Sequence, residues 1–315
     1  MTEDGLGGAG IESSMRAVRL HSPRGAEGLV FEQIETPHLQ ALEALVRVHA
    51  ASITRDELEW PTDRLPAIPS YELSGVVIAV SPDVDSVSAG EPVYGLTAFD
   101  RDGVAADYAA VPAGLLAPKP RRLDHLESAA VPLAALSAWQ GLFDHGELEE
   151  GQRVLVHGAA GGVGHFATQL ARWHGAYVIG TASPSSADEA RHLGAHELLD
   201  GVNGGFEALD PVDLVFDTVG GELLERSLAI VRTGGRVVSV AEEPPEIPND
   251  AEIASTYFVV EPNREQLVEL ARIIDSGHVR PAIDSVFPLG EAQAAFERSM
   301  AKGKSGKVVL RVFDD

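Results

Sequence analysis

A glycine-rich segment is the part of the sequence with the clearest chemical meaning. It consists of Gly158, Ala159, Ala160, Gly161, Gly162, Val163 and Gly164. In the G-x-G-x-x-G register of dinucleotide-binding loops, Ala159, Gly161 and Gly164 take the three glycine positions. The missing side chain at Gly161 would let a pyrophosphate approach the backbone, and the amides at the start of the next helix would face the anion. A plain tight turn is the alternative, but the predicted strand before the segment and the predicted helix after it favour a phosphate loop.

The residues after the next predicted strand, 180–186, bear on which dinucleotide binds. An NAD site places an acidic residue about 20 positions beyond the glycines, where it holds the ribose 2′-hydroxyl. Thr181 and Ser183 lie at that place here, and the first acidic residue is Asp188. Small hydroxyl side chains accommodate a 2′-phosphate, so the sequence favours NADP(H), although the nearest arginine is only at Arg191.

The composition excludes several classes of protein. The 48 acidic residues outnumber the 24 basic ones, and the net charge of −24 disfavours binding to nucleic acid. Because the chain has no cysteine, disulfides, thiolate nucleophiles and Cys-based metal sites are excluded. No apolar run approaches the roughly 18 residues of a membrane span, and the acidic N-terminus lacks the pattern of a signal peptide. We therefore expect a soluble cytoplasmic protein without membrane or nucleic-acid partners.

The elements that must position the phosphate loop change in character along the chain. Short β-like runs separated by proline and glycine predict a small barrel or sandwich before about residue 125. Strand-like and helical runs then alternate, which predicts βαβ units on a parallel sheet. A helix is expected over 263–276 and a last strand over 308–312. We expect a disordered tail at 1–14, a β-rich domain formed by 15–131 and 261–315, and an inserted α/β domain at 132–260.

Ordered motifs cover nearly the whole chain from Met15 to Val312. They lie at residues 15–18, 69–75, 90–95, 130–139, 158–164, 178–183, 193–195, 216–221 and 306–310. Together they resemble the medium-chain dehydrogenase/reductases, in the zinc-independent, zeta-crystallin-like branch of quinone oxidoreductases. The resemblance implies an α/β fold in which a Rossmann-type doubly wound parallel sheet domain is inserted into a GroES-like β-barrel domain.

The resemblance also bears on whether a metal takes part. Zinc-dependent members of the superfamily take their catalytic ligands from a cysteine, a histidine directly before a glutamate, and a further cysteine or acidic residue. Here that histidine position is occupied by Tyr71, which precedes Glu72, and the chain has no cysteine. Glu72 alone does not make a zinc site. We therefore expect no metal and a reaction without a Lewis acid.

The resemblance implies three catalytic residues, Thr54, Tyr71 and Ser137. Thr54 stands where close relatives carry an asparagine near the nicotinamide. Tyr71 could donate a hydrogen bond to a carbonyl oxygen, or merely fill the space of a lost zinc ligand. Ser137 could contact the nicotinamide or a phosphate, or cap a helix. Trp60 could line an apolar pocket or simply cover the barrel.

A larger set of residues is implied to bind the cofactor. It consists of Ser137, Gly158, Ala159, Ala160, Gly161, Gly162, Val163, Gly164, Thr181, Ser183, Thr218, Val219, Val240, Ala241, Phe258, Val259 and Lys307. Two of these assignments have alternatives. Lys307 could be an exposed lysine at a strand edge, and the run from Phe258 to Val260 could be an edge strand that pairs across a homodimer.

The sequence thus predicts an NADPH-dependent oxidoreductase that transfers a hydride to a small-molecule acceptor without a metal. The expected acceptor is a quinone or an α,β-unsaturated carbonyl compound, which needs little acid assistance because its developing negative charge is delocalised. One alternative is a ketone or enoyl reductase that modifies a secondary metabolite. The other is a protein that binds NADPH with little turnover.

Overall fold

The structure, a computed structural model, describes residues 12–60, 63–200, 205, 209–247, 252–301 and 303–313. Its strands are β1 (Ser14–Leu20), β2 (Leu29–Glu35), β3 (Glu43–Ile53), β4 (Glu72–Val80), β5 (Pro92–Leu96), β6 (Tyr108–Pro112), β7 (Leu116–Pro118), β8 (Arg153–Val156), β9 (Tyr177–Ala182), β10 (Glu197–Asp200), β11 (Val212–Asp217), β12 (Val231–Ser239), β13 (Ala254–Tyr257), β14 (Ile283–Pro288) and β15 (Lys307–Arg311). Its helices are α1 (His125–Ala129), α2 (Pro132–Trp139), α3 (Gly164–Trp173), α4 (Ala187–His192), α5 (Glu222–Ser227), α6 (Arg264–Asp275) and α7 (Ala292–Met300).

A six-stranded parallel sheet forms the centre of the α/β unit. Its strand order is β10-β9-β8-β11-β12-β13, so the chain order runs 3-2-1-4-5-6 across the sheet. This is the doubly wound Rossmann order, whose direction reverses between β8 and β11. The central strands are buried on both faces, which explains why most of their residues are apolar. The predicted Rossmann-type fold is confirmed.

The remaining strands form the β-rich unit. A seven-stranded sheet has the path β14-β15-β3-β4-β5-β7, and β6 also pairs with β3. The last strand, β15, lies between β14 and β3, so the C-terminal segment completes a sheet begun near the N-terminus, as predicted. A separate ribbon of β1 and β2 is bridged to the unit at Leu20 and Ala67.

The ends of the predicted domains are only partly described. Residues 1–11 of the predicted tail lie outside the described residues, but the tail does not extend to Ser14, which begins β1. The residue before this strand is also hydrogen-bonded, because the amide of Thr36 donates to the Ser13 carbonyl oxygen at 3.1 Å. The tail prediction was wrong for this last part.

Helix α6 lies at the border between the two units. Asn263 caps its N-terminus by accepting a hydrogen bond from the Gln266 amide at 3.0 Å, which confirms the predicted helix. Its apolar face packs into the same cluster as α2 and α3. The Tyr94 hydroxyl of β5 donates to the Leu267 carbonyl oxygen at 2.6 Å, which ties the helix to the β-rich unit as well. The domain boundary at residue 261 stays a prediction.

Both edges of the parallel sheet differ from what the sequence predicted. At one edge lies β13, which ends at Tyr257, and the apolar run from Phe258 to Val260 follows it outside the sheet. The alternative that made this run an edge strand was wrong, because the edge strand ends directly before it, at Tyr257. At the other edge, β10 was not predicted, because its residues are all half-buried and lack an alternating pattern.

Candidate cofactor and acceptor site

The glycine-rich segment forms the turn between β8 and α3. Gly158 has a φ of +69°, a conformation that glycine adopts without strain. A Cβ atom at Gly164 would lie 2.0 Å from the Gly158 carbonyl oxygen, so only glycine lets α3 pack this closely on the loop. A Cβ atom at Gly161 would meet only that same oxygen, at 3.1 Å. The loop therefore has the open backbone that a pyrophosphate needs, at the N-terminus of a ten-residue helix.

A buried histidine that the sequence analysis did not single out supports the loop from below. His157 Nε2 donates to Ser227 Oγ at 2.6 Å, and Ser227 in turn donates to the Leu223 carbonyl oxygen at 2.6 Å. Its Nδ1 accepts from Thr181 Oγ1 at 3.2 Å, and that hydroxyl accepts from the Gly158 amide at 3.0 Å. This order of donors requires a neutral imidazole, and burial lowers the pKa of His157 to about 4.

The network changes the expected role of Thr181. Its side chain is 1% exposed, and its hydroxyl is engaged beneath the loop rather than at the surface. Its carbonyl oxygen also accepts from the Ala159 amide at 2.9 Å. Thr181 therefore holds the loop on β9, and its predicted contact with the cofactor is not supported by this geometry.

Asp217 organises the turns on the other side of the loop. Its carboxylate is buried at the end of β11 and accepts from the Gly220 amide and, at 2.7 Å, from the Ser239 hydroxyl. The Thr218 hydroxyl donates to the His157 carbonyl oxygen at 2.8 Å. Four residues predicted to bind the cofactor thus lie together at the carboxyl ends of β11 and β12, next to the loop. They are Thr218, Val219, Val240 and Ala241.

The C-terminal part of the β-rich unit contacts the phosphate loop directly. The Gly306 amide donates to the Ala160 carbonyl oxygen at 3.2 Å. His165 bridges the same two segments: its Nδ1 donates to the Gly161 carbonyl oxygen at 2.9 Å and its Nε2 accepts from the Ala282 amide at 3.1 Å. The cofactor loop and the β-rich unit are therefore one hydrogen-bonded structure at this point.

Lys307 lies in the same place. It is 4% exposed, so the alternative of an exposed edge lysine was wrong. Its ammonium group forms an ion pair with the fully buried Glu72 and donates to Thr54 Oγ1 at 3.3 Å. A Cβ atom at Gly162 would lie 3.6 Å from Lys307 Cδ, so the lysine stem packs beside the phosphate loop. The structure thus brings together Thr54, Glu72 and Lys307, of which the sequence analysis assigned no role to Glu72.

Glu57 positions the segment that carries Thr54. Its carboxyl group is fully buried and accepts from the Thr54 amide at 3.0 Å and the Ser70 amide at 3.1 Å. Burial raises the pKa of Glu57 to about 8, so this carboxyl group is largely protonated at neutral pH. Glu57 therefore links the turn after β3 to the segment directly before β4.

Tyr71 and Ser137 lie in other surroundings. The Tyr71 ring is fully buried against Trp60 and Phe99, with ring centroids 5.5 and 5.4 Å away, and its hydroxyl accepts from Arg64 Nη2 at 3.0 Å. Trp60 therefore lines an aromatic cluster. Ser137 lies inside α2 and donates to the Leu133 carbonyl oxygen at 2.8 Å, so the alternative of a helix cap was wrong. Its contact with the cofactor stays a prediction.

The remaining predicted contacts lie at the ends of β9 and β13. Ser183 Oγ lies 2.9 Å from Ser185 Oγ and 2.8 Å from Ser186 Oγ, which gives a cluster of hydroxyl groups where a 2′-substituent would bind. Phe258 is nearly buried after β13, whereas Val259 is 61% exposed. The ranges that the structure describes contain no group of three or more His, Cys, Asp or Glu residues that could hold a metal ion.

His165 should make the protein sensitive to acid. Burial lowers its pKa to about 4, below the ordinary value of 6.5, because desolvation disfavours the charged imidazolium. The unprotonated Nε2 accepts from the Ala282 amide. The folded state therefore binds this proton less readily than the unfolded chain, so the stabilisation is complete above pH 6.5 and is lost as pH falls towards 4. Relative to the variant His165→Gln, we expect the wild-type free energy of unfolding to fall by about 1.4 kcal/mol per pH unit in this window.

Urea unfolding at a series of pH values checks this expectation. The matched control is His38→Gln, since the His38 side chain is 84% exposed. The control curve should run parallel to that of the wild type. A constant difference between wild type and His165→Gln from pH 7 to pH 4 would contradict the neutral bridge.

Comparisons with known proteins agree with this geometry. Residues 40–121 match the family described as "Alcohol dehydrogenase GroES-like domain", and residues 193–310 match the one described as "Zinc-binding dehydrogenase". The chain is 31% identical to the "NADPH-dependent alkenal/one oxidoreductase, chloroplastic" of Arabidopsis thaliana, over 96% of this chain and 81% of that protein. No helix within the described ranges is long and apolar enough to cross a membrane.

Two further similarities extend the comparison. The structure of the quinone oxidoreductase from Coxiella burnetii superimposes with a TM-score of 0.89 and 29% identity, over 95% of this chain and 100% of that one. The "Spectinabilin polyketide synthase system protein NorB" of Streptomyces orinoci is 38% identical over 76% of this chain, which is 12% of that protein. Oxidoreductases of this kind bind a nicotinamide cofactor. The chain belongs to the medium-chain dehydrogenase/reductase superfamily, in its zinc-independent quinone oxidoreductase branch.

Proposed function

We propose that this oxidoreductase transfers a hydride from NADPH to a quinone or an α,β-unsaturated carbonyl compound without a metal ion. The observation that carries the proposal is the buried pair of Lys307 and Glu72 with Thr54, packed beside the phosphate loop. Zinc-dependent relatives place metal ligands in this region, whereas here a lysine ammonium group neutralises the glutamate. A conjugated acceptor is consistent with such a site, because its developing charge is delocalised and needs no Lewis acid.

Different residues of this chain would bind different parts of the cofactor. NADPH, when bound, would supply the hydride from its nicotinamide ring. The backbone amides of residues 159–164 would hold the pyrophosphate, with Gly161 leaving the necessary room. The Lys307 ammonium group lies next to this loop, where its ion pair with Glu72 neutralises a buried carboxylate in a chain of net charge −24. The contribution of the protein is mainly to align the two reactants.

Two observations support NADPH rather than NADH. Ser183, Ser185 and Ser186 form a hydroxyl cluster after β9 without a carboxylate that would repel a 2′-phosphate. The relative from Arabidopsis thaliana is named for its use of NADPH. The preference for NADPH over NADH should be modest. Residues 183–186 of the turn include no arginine, and the nearest one, Arg191, is paired with Asp188 at 2.9 Å.

A second candidate function is favoured by one comparison. The 38% identity to part of a polyketide synthase system protein suggests a reductase that modifies a ketone or an enoyl group in a secondary metabolite. A small-molecule acceptor is common to both functions. The predicted homodimer and cytoplasmic location also remain proposals. For the homodimer, β13 is the last strand of the sheet within the described ranges, and Tyr257 is 41% exposed, which offers a surface for strand pairing.

The main test is a screen of NADPH oxidation against quinones, enals, enoyl thioesters and ketones. We expect quinones or enals to be reduced fastest, and the rate to be unchanged after dialysis against a metal chelator. Turnover of ketones or enoyl thioesters alone would favour the second function, and binding of NADPH without any turnover would contradict both. One tightly held zinc per chain, with activity lost to the chelator, would contradict the metal-free reaction.

Gly161→Val tests the phosphate loop. The added side chain would enter the space that the pyrophosphate needs, so we expect NADPH affinity to fall by about a hundredfold or more, which is at least about 2.8 kcal/mol. Calorimetric titration measures the affinity, and thermal unfolding checks the fold. Gly114→Val is the matched control, because a Cβ atom there meets nothing within 4 Å. If Gly161→Val bound NADPH like the control, the segment would be only a tight turn.

Ala182→Asp tests the choice of cofactor at the end of β9. The wild type should prefer NADPH over NADH by tenfold to a hundredfold, about 1.4–2.8 kcal/mol. The new carboxylate would accept from a ribose 2′-hydroxyl and repel a 2′-phosphate, so the preference should reverse. Ala187→Asp adds the same charge at the start of α4 and should leave the preference on the NADPH side. Dissociation constants at physiological salt that show wild type favouring NADH would reject this assignment.

A further inference from the structure

An open cavity of about 460 Å³ lies in the β-rich unit. Its lining comes from three segments, which are residues 23–26 before β2, residues 55–59 after β3, and the C-terminal half of α7. None of the lining residues belongs to the phosphate loop or to the group of Thr54, Glu72 and Lys307. Small-molecule sites in proteins have volumes of about 300–1,000 Å³. The cavity therefore has the size of a ligand site and is separate from the cofactor loop.

The floor of the cavity is apolar. Phe296 and Leu58 are buried in the core of the β-rich unit, and Ala26 packs against the same core. The space above them is open because a Cβ atom at Gly25 would meet nothing within 4 Å and Ala26 carries only a methyl group. Met300 is 49% exposed at the cavity, and its flexible thioether side chain can adapt to a bound molecule.

The rim of the cavity carries charged side chains. Arg55, Asp56, Glu59 and Glu297 line it, and all four are exposed. Three carboxylates and one guanidinium group give the rim a net charge of −2. Within the described ranges, no ion pair engages any of these carboxylates. A concave surface with charge mainly of one sign attracts a ligand of the opposite sign.

An apolar floor below an acidic rim suits a molecule with two different parts. Its hydrocarbon body would displace water from the floor, and a positively charged amine would stay at the rim. An ammonium group only donates hydrogen bonds and a carboxylate only accepts them, so the two are complementary. Because exposed ion pairs are individually weak, burial of the hydrocarbon would supply most of the affinity and the charge would supply the selectivity.

We propose that this cavity is a binding site for amphipathic amines. The hydrocarbon body of the ligand lies against Phe296 and Leu58. Its ammonium group lies beside Glu59 and Glu297. Because the cavity shares no residue with the phosphate loop, the amine and NADPH bind at the same time.

Three ligands with the same alkyl chain test the proposal. Octylammonium carries a positive charge at neutral pH, octanoate a negative one, and 1-octanol none. Calorimetric titration of the full chain, below the concentrations at which the ligands form micelles, measures each affinity. We expect octylammonium to bind at least about tenfold more tightly than octanoate, with 1-octanol between them. Added salt should weaken the binding of octylammonium and leave that of 1-octanol unchanged.

Substitutions at the rim test the role of the charge. Glu59→Gln and Glu297→Gln should each weaken octylammonium binding by about twofold to fivefold and leave 1-octanol binding unchanged. Glu291→Gln is the matched control, because Glu291 is exposed directly before the same helix and does not line the cavity. This control should bind octylammonium like the wild type.

Filling the cavity tests where the ligand binds. Ala26→Phe places a ring in the cavity, so the binding of octylammonium and of 1-octanol should both be lost. Ala294→Phe is the matched control, since Ala294 is exposed on α7 outside the lining, and it should bind both ligands like the wild type. Thermal unfolding verifies that Ala26→Phe is folded. If it is not, the rim variants decide the question by themselves.

The outcomes that would overturn the site are distinct. Octanoate that binds as tightly as octylammonium, or rim variants that bind octylammonium like their control, would reject the selectivity for amines. A folded Ala26→Phe variant with wild-type affinity would place the ligand elsewhere. Saturating NADP⁺ should leave the affinity for octylammonium unchanged, and displacement of the amine by NADP⁺ would reject a separate site.

Discussion

The buried ion pair between Lys307 and Glu72 is the interaction on which the candidate site depends. The lysine begins β15 and the glutamate begins β4, so the pair joins the C-terminal segment to the early part of the β-rich unit. Glu72 also accepts from the Leu133 amide at 2.9 Å, which places a carboxylate at the N-terminus of α2. Removing either partner would leave an uncompensated buried charge, which costs about 3–5 kcal/mol in comparable proteins.

The same place joins the two units around the phosphate loop. Gly306 of the β-rich unit donates to the Ala160 carbonyl oxygen of the loop, and His165 of α3 accepts from the Ala282 amide. Gln169 of α3 binds the backbone of Arg280 in both directions, at 2.9 and 3.0 Å. A cofactor bound to the loop would therefore lie against both units, which is the arrangement that hydride transfer between two held reactants needs. Neutral, buried histidines make this connection possible because their two ring nitrogens offer one donor and one acceptor.

Local charge at the site differs from the charge of the whole chain. The protein has a net charge of −24, yet Lys304 and Lys307 both lie close to the phosphate loop. Burial and the neighbouring Lys307 lower the pKa of Lys304 to about 8, while the ion pair keeps Lys307 within a neutral unit. Protonated Glu57 adds no further negative charge at neutral pH. An anionic cofactor thus meets a locally favourable potential inside an acidic protein.

The sequence by itself determined the fold class and the phosphate loop, and only the tertiary structure decided the chemistry around them. Glycines at Gly161 and Gly164 and the alternation of strands and helices are local patterns, and each depends on neighbours within a few positions. The polar groups beside the phosphate loop come from distant segments: Thr54, Glu72 and Lys307 meet only when the sheet is complete. Burial then determines whether each of these groups is charged and which partner it binds, and no local sequence pattern carries that information.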